Sequence, residues 1–256
     1  MKSLNSLTTR NPVLLIALAA LGMAVFIGTA KAQPNSFSDN FNGASLDPAW
    51  ILTGPPANHF GQAGGLYLMK DNNDGNQTTL QRNIGGTAGS WNAAVDYVGS
   101  PLRTPNTQTD VNWRFFGPNG FVEVAFNSFG DLRVFHGNFV ASAFGDLVGN
   151  SNIGYTDGQT LNLRASFDAG LQQLSIQYGI NGGPLTSKYL GGGNGGSFGN
   201  FYTDFIDVRM FKWGASVDEP FLGVDNMSLT AVPEPGSMAL MGLGGFGLFL
   251  MRRRRC

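Results

Sequence analysis

The chain has 256 residues, a formal net charge of −1, 20 phenylalanines, 37 glycines and one cysteine, which is the last residue. A lone cysteine excludes an intramolecular disulfide framework, and two isolated histidines do not make a zinc centre. The charge is unevenly placed: residues 33–231 hold nine basic and sixteen acidic side chains, a net charge of −7, which excludes binding to nucleic acid through bulk charge and suits cations or neutral polymers.

Residues 1–32 read as a secretory signal peptide. Lys2 and Arg10 supply a positive start, residues 13–27 an apolar stretch, and Ala30-Lys31-Ala32 a small-x-small cleavage site that leaves Gln33 as the new N-terminus. An uncleaved N-terminal anchor is the alternative, against which the Ala-x-Ala pattern speaks. The exported portion is then residues 33–231, about 200 residues, a size that one all-β domain commonly reaches.

The domain opens on Phe37-Ser38-Asp39-Asn40-Phe41 and Leu46-Asp47-Pro48-Ala49-Trp50. Asp71-Asn72-Asn73-Asp74-Gly75-Asn76 then gathers hard oxygen ligands around a turn, which makes Asp71, Asn73 and Asp74 a calcium candidate. The spacing misses an Asp-x-Asn-x-Asp-Gly loop by one residue and lacks a closing Glu. An Asx-rich hairpin turn explains the same residues.

From residue 111 the hydrophobic period is two. Val111, Trp113 and Phe115 alternate with polar neighbours, as do Val122, Val124 and Phe126; Leu161, Leu163, Ala165 and Phe167; Leu174, Ile176 and Tyr178; and Ile206, Val208 and Met210. Each set predicts a half-buried strand with one dry and one wet face. Turn signals separate them at Pro118-Asn119-Gly120, Phe129-Gly130-Asp131, Asp157-Gly158, Asp168-Ala169-Gly170 and Asn181-Gly182-Gly183. About twelve such strands predict an all-β fold, a two-sheet antiparallel jelly-roll-like sandwich. Residues 191–200 are glycine-rich and read as a surface loop. Aromatic faces stack on sugar rings, so Phe198, Phe201, Tyr202, Phe211 and Trp213 are the candidate ligand-binding residues.

The opening motif, taken with Gly223-Val224-Asp225-Asn226-Met227-Ser228-Leu229 near the end of the domain, resembles the concanavalin A-like lectin/glucanase sandwiches, including laminin-G-like bacterial modules. The resemblance implies that the first and last strands pair in one sheet. It also implies, for an enzyme of this fold, two carboxylates a few residues apart on one strand face, one a nucleophile and the other a general acid. Residues 33–231 contain only Glu123 and Glu219 as glutamates, and neither lies in a Glu-x-Asp-x-x-Glu pattern. Glu123 reads as a solvated strand residue and Asp225 as a brace for the backbone. His59 and His136 show no evident partner, and no Gly-x-Ser-x-Gly elbow occurs. No catalytic residue is assigned.

The tail, residues 232–256, begins Val232-Pro233-Glu234-Pro235, continues with sixteen uncharged residues (236–251), and closes on Arg252, Arg253, Arg254, Arg255 and Cys256. Sixteen helical residues rise about 24 Å, a marginal C-terminal transmembrane helix against a hydrocarbon core of about 30 Å. The arginines orient it with its C-terminus in the cytoplasm. An ordinary C-terminal anchor is one reading. The ordered trio of motif, glycine-rich apolar run and arginine cluster resembles the PEP-CTERM sorting signal of Gram-negative envelope proteins. That resemblance implies an exosortase as processing partner, acting at or near Pro233-Glu234-Pro235. It also implies transient anchoring in the inner membrane before release to the cell surface or the extracellular space. The whole then reads as an exported, noncatalytic surface or matrix component that binds exopolysaccharide and needs no cofactor unless calcium binds. A divergent glycan-active enzyme of the same fold is the alternative.

Overall fold

The computed structural model describes residues 34–70, 77–87, 89–99, 108–127, 129–156, 158–193, 198, 201, 203–213 and 221–232. The signal peptide with its Ala30 and Ala32, the calcium candidate Asp71, Asn73 and Asp74, and the tail beyond Val232 lie outside the described residues. Ala32–Val232 forms one compact unit. Among the described residues no helix is long and apolar enough to cross a membrane.

The described residues form fifteen strands: β1 (Phe37–Asp39), β2 (Trp50–Thr53), β3 (His59–Ala63), β4 (Leu66–Lys70), β5 (Thr78–Thr87), β6 (Trp91–Val98), β7 (Gln108–Gly117), β8 (Gly120–Asn127), β9 (Asp131–Asn138), β10 (Ala143–Asn152), β11 (Thr160–Asp168), β12 (Gln173–Ile180), β13 (Thr186–Gly191), β14 (Thr203–Trp213) and β15 (Phe221–Ala231). This exceeds the expected twelve because β1, β2, β3 and β13 are short and lack a clean alternation of buried and exposed residues. One eight-stranded sheet runs β13-β12-β11-β6-β15-β4-β3, with β1 also paired to β15; a seven-stranded sheet runs β10-β9-β8-β7-β14-β5-β2. Every pairing is antiparallel, and Phe37 sits opposite Leu229, so the first and last strands do share a sheet. The fold is an all-β, two-sheet antiparallel sandwich.

The alternating residues named above fill the space between the sheets. Val111, Trp113, Phe115, Val122, Val124, Leu161, Leu163, Ile176, Ile206, Val208 and Met210 are all buried. Trp91, the first residue of β6, stacks on Phe115 of the opposite sheet with ring centroids 4.4 Å apart. Trp91 also pairs with Ala231, the last residue of β15. The end of the sandwich marked by Trp91 and Phe115 is therefore the end at which the chain leaves the domain. Phe198 and Phe201 are core residues here and not surface aromatics: they are 2% exposed and pack on Phe167 and His136.

Asp225 braces the backbone as expected. Its Oδ1 accepts the Asn226 amide at 2.7 Å, while Asn226, at a left-handed φ of 48°, donates from Nδ2 to Asp96 Oδ2 at 3.0 Å. The bulge between Asp225 and Ser228 in the β15–β6 ladder lies at this brace.

Candidate functional site

On a strand whose odd members face the core, the even ones reach the outer surface. Registers therefore map the outer face of the seven-stranded sheet into rows that cross the strands. One row reads Phe144, Gly137, Phe121, Phe116, Phe205 and Asn83, from β10 to β5. The next reads Phe135, Glu123, Arg114, Asp207 and Gln81, and a third Arg133, Ala125, Asn112, Arg209 and Thr79.

The aromatic row is a continuous platform. Phe205 and Phe116 stack at 5.0 Å, Phe116 and Phe121 at 5.5 Å, and Phe121 and Phe135 at 5.7 Å. Phe139, from the β9–β10 turn, tilts onto Phe116 and Phe121, and Phe144 adjoins Phe139. Gly137 provides the floor. A Cβ there would stand 2.3 Å from the Phe121 ring, so the ring lies flat only because residue 137 has no side chain. Phe139 and Phe144 remain exposed to solvent.

Beside the platform runs a ladder of charge. Asp207 accepts two parallel bonds from Arg114, Nε to Oδ1 at 2.8 Å and Nη2 to Oδ2 at 2.5 Å. Glu123 accepts from Arg209 Nη2 at 2.8 Å and Arg133 Nη2 at 3.5 Å. Bidentate and charge-assisted bonds of this kind fix geometry as well as charge. Glu123 is 6% exposed and Asp207 fully buried, so the expectation of a solvated Glu123 is corrected: it faces outward yet is enclosed by arginines from neighbouring strands. Burial pushes both carboxyls up, and the arginines oppose that shift. Glu123 and Asp207 lie on strands either side of β7, about 10 Å apart at the backbone, with Arg114 between them in the same row.

The other sequence candidates fall elsewhere. His59 is held by the Tyr67 hydroxyl at 2.8 Å and Thr53 O at 3.0 Å, correcting the expectation that it lacks a partner. His136 is buried beside Phe198, within β9. Tyr202 lies outside the described residues. Phe211 and Trp213 occupy β14 opposite Asp110 and Gln108, but their side chains lie outside the described set. Among the described residues no group of three or more His, Cys, Asp or Glu could hold a metal ion. A second candidate is a groove of about 330 Å³ on the outer face of the eight-stranded sheet, lined by Asn92, Arg164, Ser166, Ser175, Gln177 and Thr230 among others. It carries hydroxyls, amides and one guanidinium but no ring.

The platform is not evident in the sequence because it is assembled from five strands, β7, β8, β9, β10 and β14, and the β9–β10 turn. The signal that could have found it is the outward parity of Phe116, Phe121, Phe135 and Phe205, each adjacent to an inward core residue.

Known structures place the fold in a class. An endo-1,3-beta-glucanase from Streptomyces sioyaensis superposes with a TM-score of 0.53 at 12% identity, covering 80% of this chain and 98% of that one. Lectin II from Ulex europaeus gives 0.52 at 10% identity, covering 78% and 99%, and the Lotus tetragonolobus seed lectin 0.51 at 12%, covering 78% and 99%. The fold of the domain is thus similar to the sandwich of these lectins and this glucanase. Residues 231–255 match the PEP-CTERM protein-sorting motif, so the tail is a sorting signal. No curated protein matches the chain.

Proposed function

We propose that this chain is an exported, noncatalytic glycan-binding component of the cell surface or extracellular matrix, processed by an exosortase at its sorting tail. Export and transient anchoring in the inner membrane are what the sorting motif supports. The observation that carries the binding reading is the phenylalanine platform bordered by the arginine-carboxylate ladder. Rings stack on the apolar faces of sugars while amides and guanidinia beside them take the hydroxyls. Lectins and glucanases of similar fold, among them the lectin UEA-II complexed with galactose, lend the same direction.

The ladder favours binding over hydrolysis. A glycosidase needs one carboxyl free to donate a proton and another free to attack or to activate water. Here both Glu123 and Asp207 are engaged by arginines. The experiment is affinity electrophoresis of the protein in gels containing neutral or acidic exopolysaccharide, with a reducing-sugar assay on the same polymers. Retardation is expected, lost at least fivefold in Phe144→Ala with the melting temperature unchanged, and no sugar is released. Sugar release that disappears in Glu123→Gln would establish the enzyme instead.

A further inference from the structure

Two independent features meet at one end of the sandwich. The first is the point where the chain leaves. The Ala231 amide donates to Ser36 Oγ at 3.0 Å and the Val232 amide to Ser90 O at 2.9 Å, so the backbone is held up to the residue before Pro233. The uncharged run starts at residue 236, and four residue steps span at most roughly 14 Å.

The second is the set of apolar side chains left in water. Among the large hydrophobic side chains described, the three most exposed are Val140 at 78%, Leu190 at 69% and Leu171 at 68%. They come from three separate segments, yet register brings them to the exit end. Leu190 stands in the row Leu190, Ser175, Ser166, Asn92 and Thr230, one residue short of Ala231. Leu171 is in the turn beyond the Asp168–Gln173 pair, which adjoins the row of Phe167, Trp91 and Ala231. Val140 is in the turn beyond the Asn138–Ala143 pair. That turn belongs to the same end, since His136 of β9 and Phe167 of β11 both pack on Phe198.

We propose that this end is a lipid-facing surface: while the tail is uncut, Val140, Leu171 and Leu190 enter the interfacial zone of the bilayer and hold the domain down. The proposal rests on the tail acting as a membrane tether. A tether of roughly 14 Å keeps the local concentration of the surface near the bilayer high, so weak insertion suffices. The turns that carry Val140 and Leu171, residues 139–142 and 169–172, hold no Lys or Arg to attract anionic lipid, and Lys188 on β13 is the one basic residue on the strand of Leu190. Binding is therefore apolar in origin and insensitive to salt.

The single native cysteine makes the test direct. In full-length chain carrying Cys256→Ser, single Val140→Cys or Leu171→Cys sites are labelled with an environment-sensitive fluorophore. The protein is reconstituted into phosphatidylcholine vesicles containing brominated lipid. Phe129→Cys and Thr156→Cys, in turns at the opposite end, serve as controls. A blue shift and at least twofold quenching are expected at residues 140 and 171 and at neither control, unchanged by high salt. Equal quenching at both ends, or none, would overturn the proposal. So would a shift that grows with protein concentration without lipid quenching, which marks contact between copies. If the chain fails to float with the vesicles, the tether reading has failed; if it floats while residues 140 and 171 report water, the lipid-facing surface alone has failed.

Discussion

His136 is an ionisable ring placed among Phe198, Phe201 and Phe167, where charge is costly. Burial lowers its pKa from 6.5 to about 4. Between these values the unfolded chain binds a proton that the folded chain refuses, so stability is complete above pH 6.5 and falls as pH drops toward 4. The loss attributable to this ring is on the order of 3 kcal/mol. Glu123 and Asp207 act in the opposite sense, because raised carboxyl pKa values make the folded state hold protons longer as pH rises. The histidine is therefore isolated by difference. Urea titrations of wild type and His136→Gln from pH 4 to 7 should show a steeper rise of stability with pH in the wild type. Parallel curves would mean that His136 takes a proton without penalty.

At the scale of elements, the outer face of the seven-stranded sheet depends on cross-strand rows. Arg114 of β7 lies between Glu123 of β8 and Asp207 of β14 and is bonded to Asp207. Removing one partner of a buried pair strands the other charge, at a cost of about 3–5 kcal/mol, whereas replacing both by apolar groups is often neutral. Arg114→Met should accordingly lower stability by that order, and Arg114→Met with Asp207→Leu should recover most of it. Equal stability of single and double variants in denaturant titration would show that Asp207 is satisfied without Arg114. These rows also mark how far the sequence can be read. Alternation in residues 111–115, 122–126, 161–167, 174–178 and 206–210 identifies five core strands and which side chains face inward, because the period of a strand is local. It says only that Glu123 faces outward. Its partners Arg133 and Arg209 stand 10 and 86 residues away, and which of them meet it is decided by strand order, a global property. Phe198 and Phe201 fail for a related reason: glycines around them have the composition of a loose loop, while the vacancy between Phe167 and His136 that their rings fill is visible only in three dimensions.

For the molecule as a whole, the sorting signal and the fold overlap. The motif begins at Ala231, which is also the last residue of β15, an interior strand bordered by β6 on one side and by β4 and β1 on the other. A membrane enzyme acting near Pro233-Glu234-Pro235 must take several residues of extended chain into its cleft, and the folded domain offers no slack on the N-terminal side. Drawing Val232 and Ala231 into such a cleft would break their bonds to Ser90 and Ser36 and pull on Leu229 in the core. Processing of the folded protein should therefore be limited by fraying at the end of β15. A flexible Gly/Ser insertion of about six residues between Val232 and Pro233 supplies roughly 14 Å of average reach and should raise the processed fraction in cells, read by intact mass. An unchanged fraction would mean that the cut precedes closure of the sandwich or that the enzyme engages only residues beyond 232. The same insertion with Leu229→Ala, which weakens the strand end from within, distinguishes these outcomes. If fraying limits the natural chain, Leu229→Ala alone should speed processing, and the insertion should remove its effect.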